Sequence, residues 1–234
     1  DRAISECLNT LSNLSLLNKI DKKKRHDIEF PWDYIMPEDI GSCFEIVKEI
    51  EAKNTANGIE LVYAEGRRKS GVHYTPFDVT RHMVDLSLEK IEISDDSIPE
   101  DLVICDLAVG AGAFLLQYAR IISNMTGVNV GVILEKHVIG FDIDPNVLQI
   151  SSLCFHLERG CPDVETAYQL HKIDSIGQLD SREKIKTRIA EMMPSSKGNP
   201  TITTGNPPYV RVKSKEYSHL GFQSNKCGNL SAYF

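Results

Sequence analysis

Four consecutive residues, Asn206, Pro207, Pro208 and Tyr209, offer the clearest chemistry in the chain. They follow a short β-branched run (residues 201–204) and Gly205. The two prolines fix the backbone and remove two N–H donors. Their carbonyls and the Asn206 carboxamide remain as hydrogen-bond acceptors converging on one spot. Tyr209 adds a flat face beside it. Such a constellation suits a planar group carrying an NH2, such as the exocyclic amine of adenine. The plain alternative is an X-Pro-Pro turn at a strand end with a half-buried tyrosine.

A second constellation lies upstream. Residues 101–107 form an apolar run ending at Asp106, and Ala108, Gly110, Gly112 and Phe114 follow it into a helical pattern reaching about Met125. Strand, Gly-x-Gly loop and helix is how α/β sheets cradle nucleotide-like ligands. The third glycine of a dinucleotide fingerprint would fall at Leu115, which disfavours NAD. An acid at the position of Asp106 favours a cationic ligand over a pyrophosphate. A further strand, residues 138–142, ends at Asp142, where ribose hydroxyls are held in such folds. Asp144 and Pro145 then start a helix reaching about Arg159, with Asp144 read as its cap. Residues 167–173 give a third strand, ending at Asp174. A charged helix at about 181–192 and a Pro/Gly loop lead to the strand before Asn206.

Asp106, Asp142, Asp174 and Asn206 thus close four successive strands. The pattern is that of an α/β protein with a doubly wound parallel sheet whose ligand lies across the carboxyl ends. Before it, Thr75, Pro76 and Asp78 read as a helix start, with Thr75 as cap and Pro76 at the first helical position. Val79, Met83, Leu86 and Lys90 are expected on one face of that helix. Residues 1–70 read as a helical segment. Leucines repeat over 4–20, a charged connector spans 21–37, and a second helix runs from Pro37 to about Lys53 until residues 54–58 break it.

With 234 residues, 41% of them hydrophobic, the chain can bury one large core or a core plus an annex. No apolar run approaches the ~20 residues of a membrane span. The six cysteines contain no CxxC pair and no zinc spacing, as expected of reduced thiols in a cytoplasmic protein, and no metal is expected. The net charge of −7 is unusual for a protein that grips nucleic acid unaided. Basic clusters are local: residues 22–25, residues 67–69, and Arg211, Lys213 and Lys215.

Taken together, residues 38–234 resemble the S-adenosylmethionine-dependent amino-methylating DNA methyltransferases. The order of motifs is that of the gamma-type N6-adenine enzymes of restriction-modification systems. The resemblance implies a class I, Rossmann-like methyltransferase fold, with residues 71–234 as the cofactor-binding and catalytic domain. It implies that Tyr74, Thr75 and Pro76 close over the methionine end of S-adenosylmethionine. Asp106, Ala108, Gly110, Gly112 and Phe114 would form the Gly-rich loop, with Leu107 replacing the family's usual proline. Asp142 and Ile143 would take the ribose-binding strand end, and Asp174 would meet the cofactor's adenine amine. Asn206, Pro207, Pro208 and Tyr209 would be catalytic, with Asn206 also bordering the cofactor. The implied substrate is double-stranded DNA with a flipped adenine. The chain stops at Phe234, soon after residues 229–234, which resemble the start of the next family segment. The C-terminal strands and the target-recognition domain are therefore expected elsewhere, in a longer chain or in a specificity subunit, and a linked or partner endonuclease is compatible. Protein glutamine, an rRNA base and a non-catalytic scaffold role remain open, while cytosine N4 fits less well because that group more often carries serine at the position of Asn206.

Overall fold

The computed structural model describes residues 36–48, 50–55, 58–63, 75–91, 93, 97–160, 166–179, 181–196, 198 and 200–206. Its centre is β3 (Ile104–Asp106), whose approach from Leu102 is buried throughout. A strand covered on both faces needs such an unbroken apolar run rather than alternation. β3 pairs in parallel with β4 (Val138–Asp142) on one side and with β6 (Ile202–Thr204) on the other, while β5 (Leu170–Lys172) extends the sheet beyond β4. The order β5-β4-β3-β6 makes one four-stranded parallel sheet. The register sets Asp106 beside both Gly140 and Thr204.

Side-chain alternation sorts the core into two layers. Ile104, Val138 and Ile202 face a cluster built with Leu115, Leu116, Ile122, Ile133, Leu134 and Phe155. Val103, Cys105, Ile139 and Phe141 face the opposite cluster with Ile173, Leu179, Ile189 and Met193. The first layer is supplied by α2 (Phe77–Leu88), α3 (Ala113–Thr126), α4 (Val130–Lys136) and α5 (Pro145–Arg159). The second comes from the segment that holds α6 (Ser175–Gln178) and α7 (Arg182–Met192). Each fully buried aliphatic or aromatic side chain contributes roughly 1.5–3 kcal/mol. The expected α/β doubly wound parallel sheet is therefore present.

Helix ends follow local chemistry. α5 begins as expected: the Asp144 carboxylate accepts from the Asn146 N–H (2.9 Å), and Pro145 stands at the first turn. It ends at Gly160, which takes the left-handed conformation that other residues avoid. α4 was not expected from the sequence. Its seven residues span only two turns, too few for a period to show, although the Asn129 side chain caps it by accepting from Gly131 N–H (2.8 Å).

Two expectations are corrected. The helix starting at Pro37 is α1 (Pro37–Lys48), and it stops short of Lys53. Residues 50–55 and 58–63 are not helical: β1 (Ile50–Thr55) and β2 (Gly58–Tyr63) pair antiparallel, Thr55 against Gly58. The spacing of Ile40, Phe44 and Val47 runs on into Ile50, which masks the alternation of Ile59, Leu61 and Tyr63. The second correction concerns α2. Its buried stripe is Thr80, Val84 and Leu88, while Val79, Met83 and Leu86 are exposed. Both stripes have helical spacing, and packing selects the one whose Thr80 hydroxyl is satisfied by the Pro76 carbonyl (3.1 Å). Residues 1–35, with the leucine repeat and the first basic cluster, lie outside the described residues. Among the described residues no helix is long and apolar enough to cross a membrane.

Candidate active site

The four strand ends stand side by side, because the strands are parallel and adjacent. Asp106 is the innermost group, 1% exposed. Its Oδ1 accepts from the Ala108 N–H (2.9 Å), and its buried Oδ2 has no hydrogen-bond partner among the described residues. Burial pushes this carboxyl up to about 7; the Ala108 bond pulls it down, and the nearby charge of Asp142 adds to the rise. A carboxylate kept dry with one oxygen unanswered is costly, and it suits a cationic or donor group brought by a ligand. Gly205 leaves room for it: a Cβ there would lie 2.6 Å from Asp106 Oδ1, and its φ of +140° belongs to glycine. Asn206 follows this glycine, two residues beyond Thr204, the register partner of Asp106.

The loop after β3 is braced from every side. Asp142 ends β4 and ties it down: its Oδ2 accepts from the Gly110 N–H (3.1 Å) and its Oδ1 from the Asp144 N–H (2.9 Å). The Val109 N–H donates to the Phe141 carbonyl (2.8 Å). The Ser175 hydroxyl donates to the Leu107 carbonyl (2.6 Å), and the Ser151 hydroxyl donates to the Gly110 carbonyl. Gly112 opens α3 in the left-handed conformation, with the Phe155 ring where a side chain would be. Ala108 is half-buried beside these bonds, whereas Phe114 is 4% exposed and belongs to the core. The loop is thus preorganised, which a site for a small ligand requires.

Beyond β4, Ile143 is 64% exposed, an apolar side chain presented at a strand tip. Asp174, at the end of β5, accepts from the Gly177 N–H (3.0 Å) and caps α6. On the other flank, Asn206 follows β6, and its Nδ2 donates to the Thr75 hydroxyl at 3.0 Å. This corrects the reading of Thr75 as a helix cap. Pro76 occupies the N-cap of α2, and among the described residues no side chain caps its start. The structure therefore brings together Thr75, Asp106, Ala108, Gly110, Asp142 and Asn206 through direct bonds and shared strand ends. Asp174 joins them through Ser175. Tyr74, Pro207, Pro208 and Tyr209 lie outside the described residues.

The sequence matches the family model of the N-6 DNA methylases over residues 60–210. The chain belongs to the N-6 DNA methylase family. No curated protein matches it. Among solved structures it is similar to the methyltransferase subunit of a type I restriction-modification system from Streptococcus thermophilus, at 18% identity and a TM-score of 0.42, over 64% of this chain and 26% of that one. It is also similar to a modification subunit of a putative type I restriction enzyme from Vibrio vulnificus, at 17% identity and a TM-score of 0.43, over 73% of this chain and 30% of that one. A third is the ATP-dependent Type ISP restriction-modification enzyme LlaBIII bound to DNA, at 17% identity and a TM-score of 0.45, over 67% of this chain and 12% of that one. The chain spans 30% or less of the length of each of these.

Three residues of this N-6 DNA methylase family member escaped the sequence reading. Ser151 sits in the buried stripe of Val147, Leu148, Cys154 and Phe155, and a small polar residue in an apolar stripe is the signal that it has a partner. Ser175 follows Asp174 directly and carries no signal of its own. Tyr118, 2% exposed, places its hydroxyl 2.6 Å from the Ser87 hydroxyl and against Thr204, joining α2, α3 and β6 beneath the site. Burial pushes its phenol up, and hydrogen bonds from Ser87 and Thr204 oppose the rise.

Proposed function

We propose that this chain carries the cofactor-binding and catalytic segment of an enzyme that methylates the N6 amine of adenine in DNA, as the modification part of a restriction-modification system. The observation that carries the reading is Asn206 following β6, the strand whose Thr204 pairs with Asp106, in a chain of the N-6 DNA methylase family; the buried Oδ2 of Asp106 has no hydrogen-bond partner among the described residues.

The residues fit S-adenosylmethionine. Asp106 would answer a positive group of the methionine end, Asp142 the ribose hydroxyls, Ile143 a face of the adenine ring and Asp174 its amine. Gly110 and Gly112 keep the loop free of side chains where the ligand approaches. The bound cofactor supplies an electrophilic methyl group on a sulfonium. The chain's part is to hold the nucleophile. An adenine amine is a poor one, because its lone pair is delocalised into the ring. Acceptors at the Asn206 carboxamide and the Pro207 carbonyl would take its two N–H bonds and draw the nitrogen toward a pyramidal form. Tyr209 would stack on the base once it has left the duplex, contributing on the order of 1–3 kcal/mol. Orientation of this kind supplies much of the acceleration of a group transfer.

Most of the DNA grip would come from partners, a specificity subunit or a target-recognition domain, which agrees with the net charge of −7. An endonuclease, linked or separate, would complete the system, and the DNA substrate makes the cytoplasm the site of action. The test is the chain, alone and with its genomic neighbours, incubated with methyl-labelled S-adenosylmethionine and with unmethylated DNA, RNA and protein in turn. Label at adenine N6 in DNA is expected. Label at cytosine N4, in RNA or on a glutamine would replace the reading.

A further inference from the structure

We propose that Thr75 is a positioning residue, whose hydroxyl holds the Asn206 carboxamide in its working orientation; the inference rests on the reading of Asn206 as an acceptor for the target amine. Asn206 needs such an anchor. It follows the last strand residue, Thr204, by way of Gly205, the residue type that constrains the backbone least. Its side chain is half-buried. A carboxamide that swings by about 1 Å loses on the order of 100-fold in a reaction governed by alignment.

The bond to Thr75 crosses 131 residues of sequence and joins the end of β6 to the start of α2. Its nitrogen end is thereby engaged by Thr75, which turns the carboxamide oxygen to the other side of the group. The helix that follows Thr75 is itself held in place. Val84 and Leu88 of α2 are buried in the core, and the Tyr118 hydroxyl connects Ser87 of α2 to Thr204 of β6. α2 and β6 are thus linked by two bridges, one through Tyr118 and one through Thr75. Thr75 also forgoes the capping bond that its place before a helix would offer, leaving its hydroxyl to Asn206. A side chain at the start of a packed helix that reaches across to orient a reacting group is the arrangement that catalytic sites need.

The test compares Thr75→Val, which keeps the shape and loses the hydroxyl, with Thr75→Ser, which keeps it. Three quantities are read on the full chain: the Asn206 side-chain NH2 signals in 15N spectra, assigned against N206S; the Kd for S-adenosylmethionine without DNA; and the single-turnover rate of methyl transfer to unmethylated bulk DNA at saturating cofactor. T75V is expected to shift the NH2 signals and to slow transfer roughly 10- to 100-fold at saturating cofactor, whatever its Kd. T75S should recover the rate to within about threefold of the parent. Unmoved NH2 signals, or full-rate transfer by T75V, would overturn the proposal. So would a Kd weakened more than about tenfold with the rate restored at saturation, which would make Thr75 a cofactor contact. A parent chain that methylates no DNA even with its genomic neighbours present would sink the proposed function alone, and the NH2 signals would still decide the Thr75–Asn206 bond.

Discussion

Asp106→Asn separates a ligand-directed carboxylate from a structural one, because it acts on stability and on binding in opposite directions at alkaline pH. The side chain keeps its shape and its Oδ1 acceptor for the Ala108 N–H. The parent carboxyl is raised from 3.8 to about 7. Between about pH 4 and pH 7 the unfolded chain has released this proton while the native protein still holds it, so the parent loses stability as pH rises through that window. At 1.36 kcal/mol per pH unit the rise amounts to on the order of 4 kcal/mol. The asparagine does not titrate. Its NH2 replaces the unanswered Oδ2 and costs about 1–3 kcal/mol at every pH for want of an acceptor. D106N should therefore be the less stable protein at pH 4.5 and the more stable one at pH 8.5. Urea unfolding at both pH values, without cofactor, reads this directly. Calorimetry at pH 8.5 should show D106N binding S-adenosylmethionine about 10- to 100-fold more weakly, as loss of a charged hydrogen bond implies. The parent's affinity should fall about tenfold per pH unit below pH 7 and level off above it. Stability curves that run parallel at all pH values would refute the buried charge. Unchanged cofactor affinity would refute its purpose.

Gly205→Ala brings a Cβ to 2.6 Å from Asp106 Oδ1 at a φ of +140°, and should lower stability by about 1–3 kcal/mol in urea unfolding; an unchanged midpoint would mean that the Asp106 carboxylate sits elsewhere. Ser175→Ala and Ser151→Ala each free one loop carbonyl, at Leu107 and Gly110. Each should cost about 1 kcal/mol and weaken S-adenosylmethionine several-fold in calorimetry, and wild-type affinity in both would remove the loop from the cofactor site. Phe141→Ala empties a fully buried position in the second core layer and should cost about 3–5 kcal/mol; a loss under about 1 kcal/mol would contradict a sheet covered on both faces.

The sheet was legible because buried parallel strands announce themselves as short apolar runs, and because each run here ends in a polar residue. Val103 through Asp106 and Val138 through Asp142 illustrate both signals. The antiparallel pair of β1 and β2 was hidden because the spacing that marks α1 continues past its end into Ile50. The face of α2 was ambiguous for a related reason: the stripe of Val79, Met83 and Leu86 is as regular as that of Thr80, Val84 and Leu88, and only the packed partner decides. Long-range polar bonds leave no trace in local sequence. Thr75 before Pro76 looks like a cap in isolation, and the partner that claims its hydroxyl lies 131 residues away. The serine clamps on the glycine loop, from Ser151 and Ser175, are invisible on the same grounds.

The central claim is that Asn206 acts on the methyl acceptor and leaves cofactor binding to the other strand ends. Asn206→Ala tests it most directly, with S-adenosylmethionine affinity measured by calorimetry and N6-methyladenine in DNA counted by mass spectrometry on the same preparation. The account predicts affinity within about threefold of the parent and a loss of N6-methyladenine of more than about 1,000-fold. Affinity and methylation falling together, or methylation persisting, would contradict it.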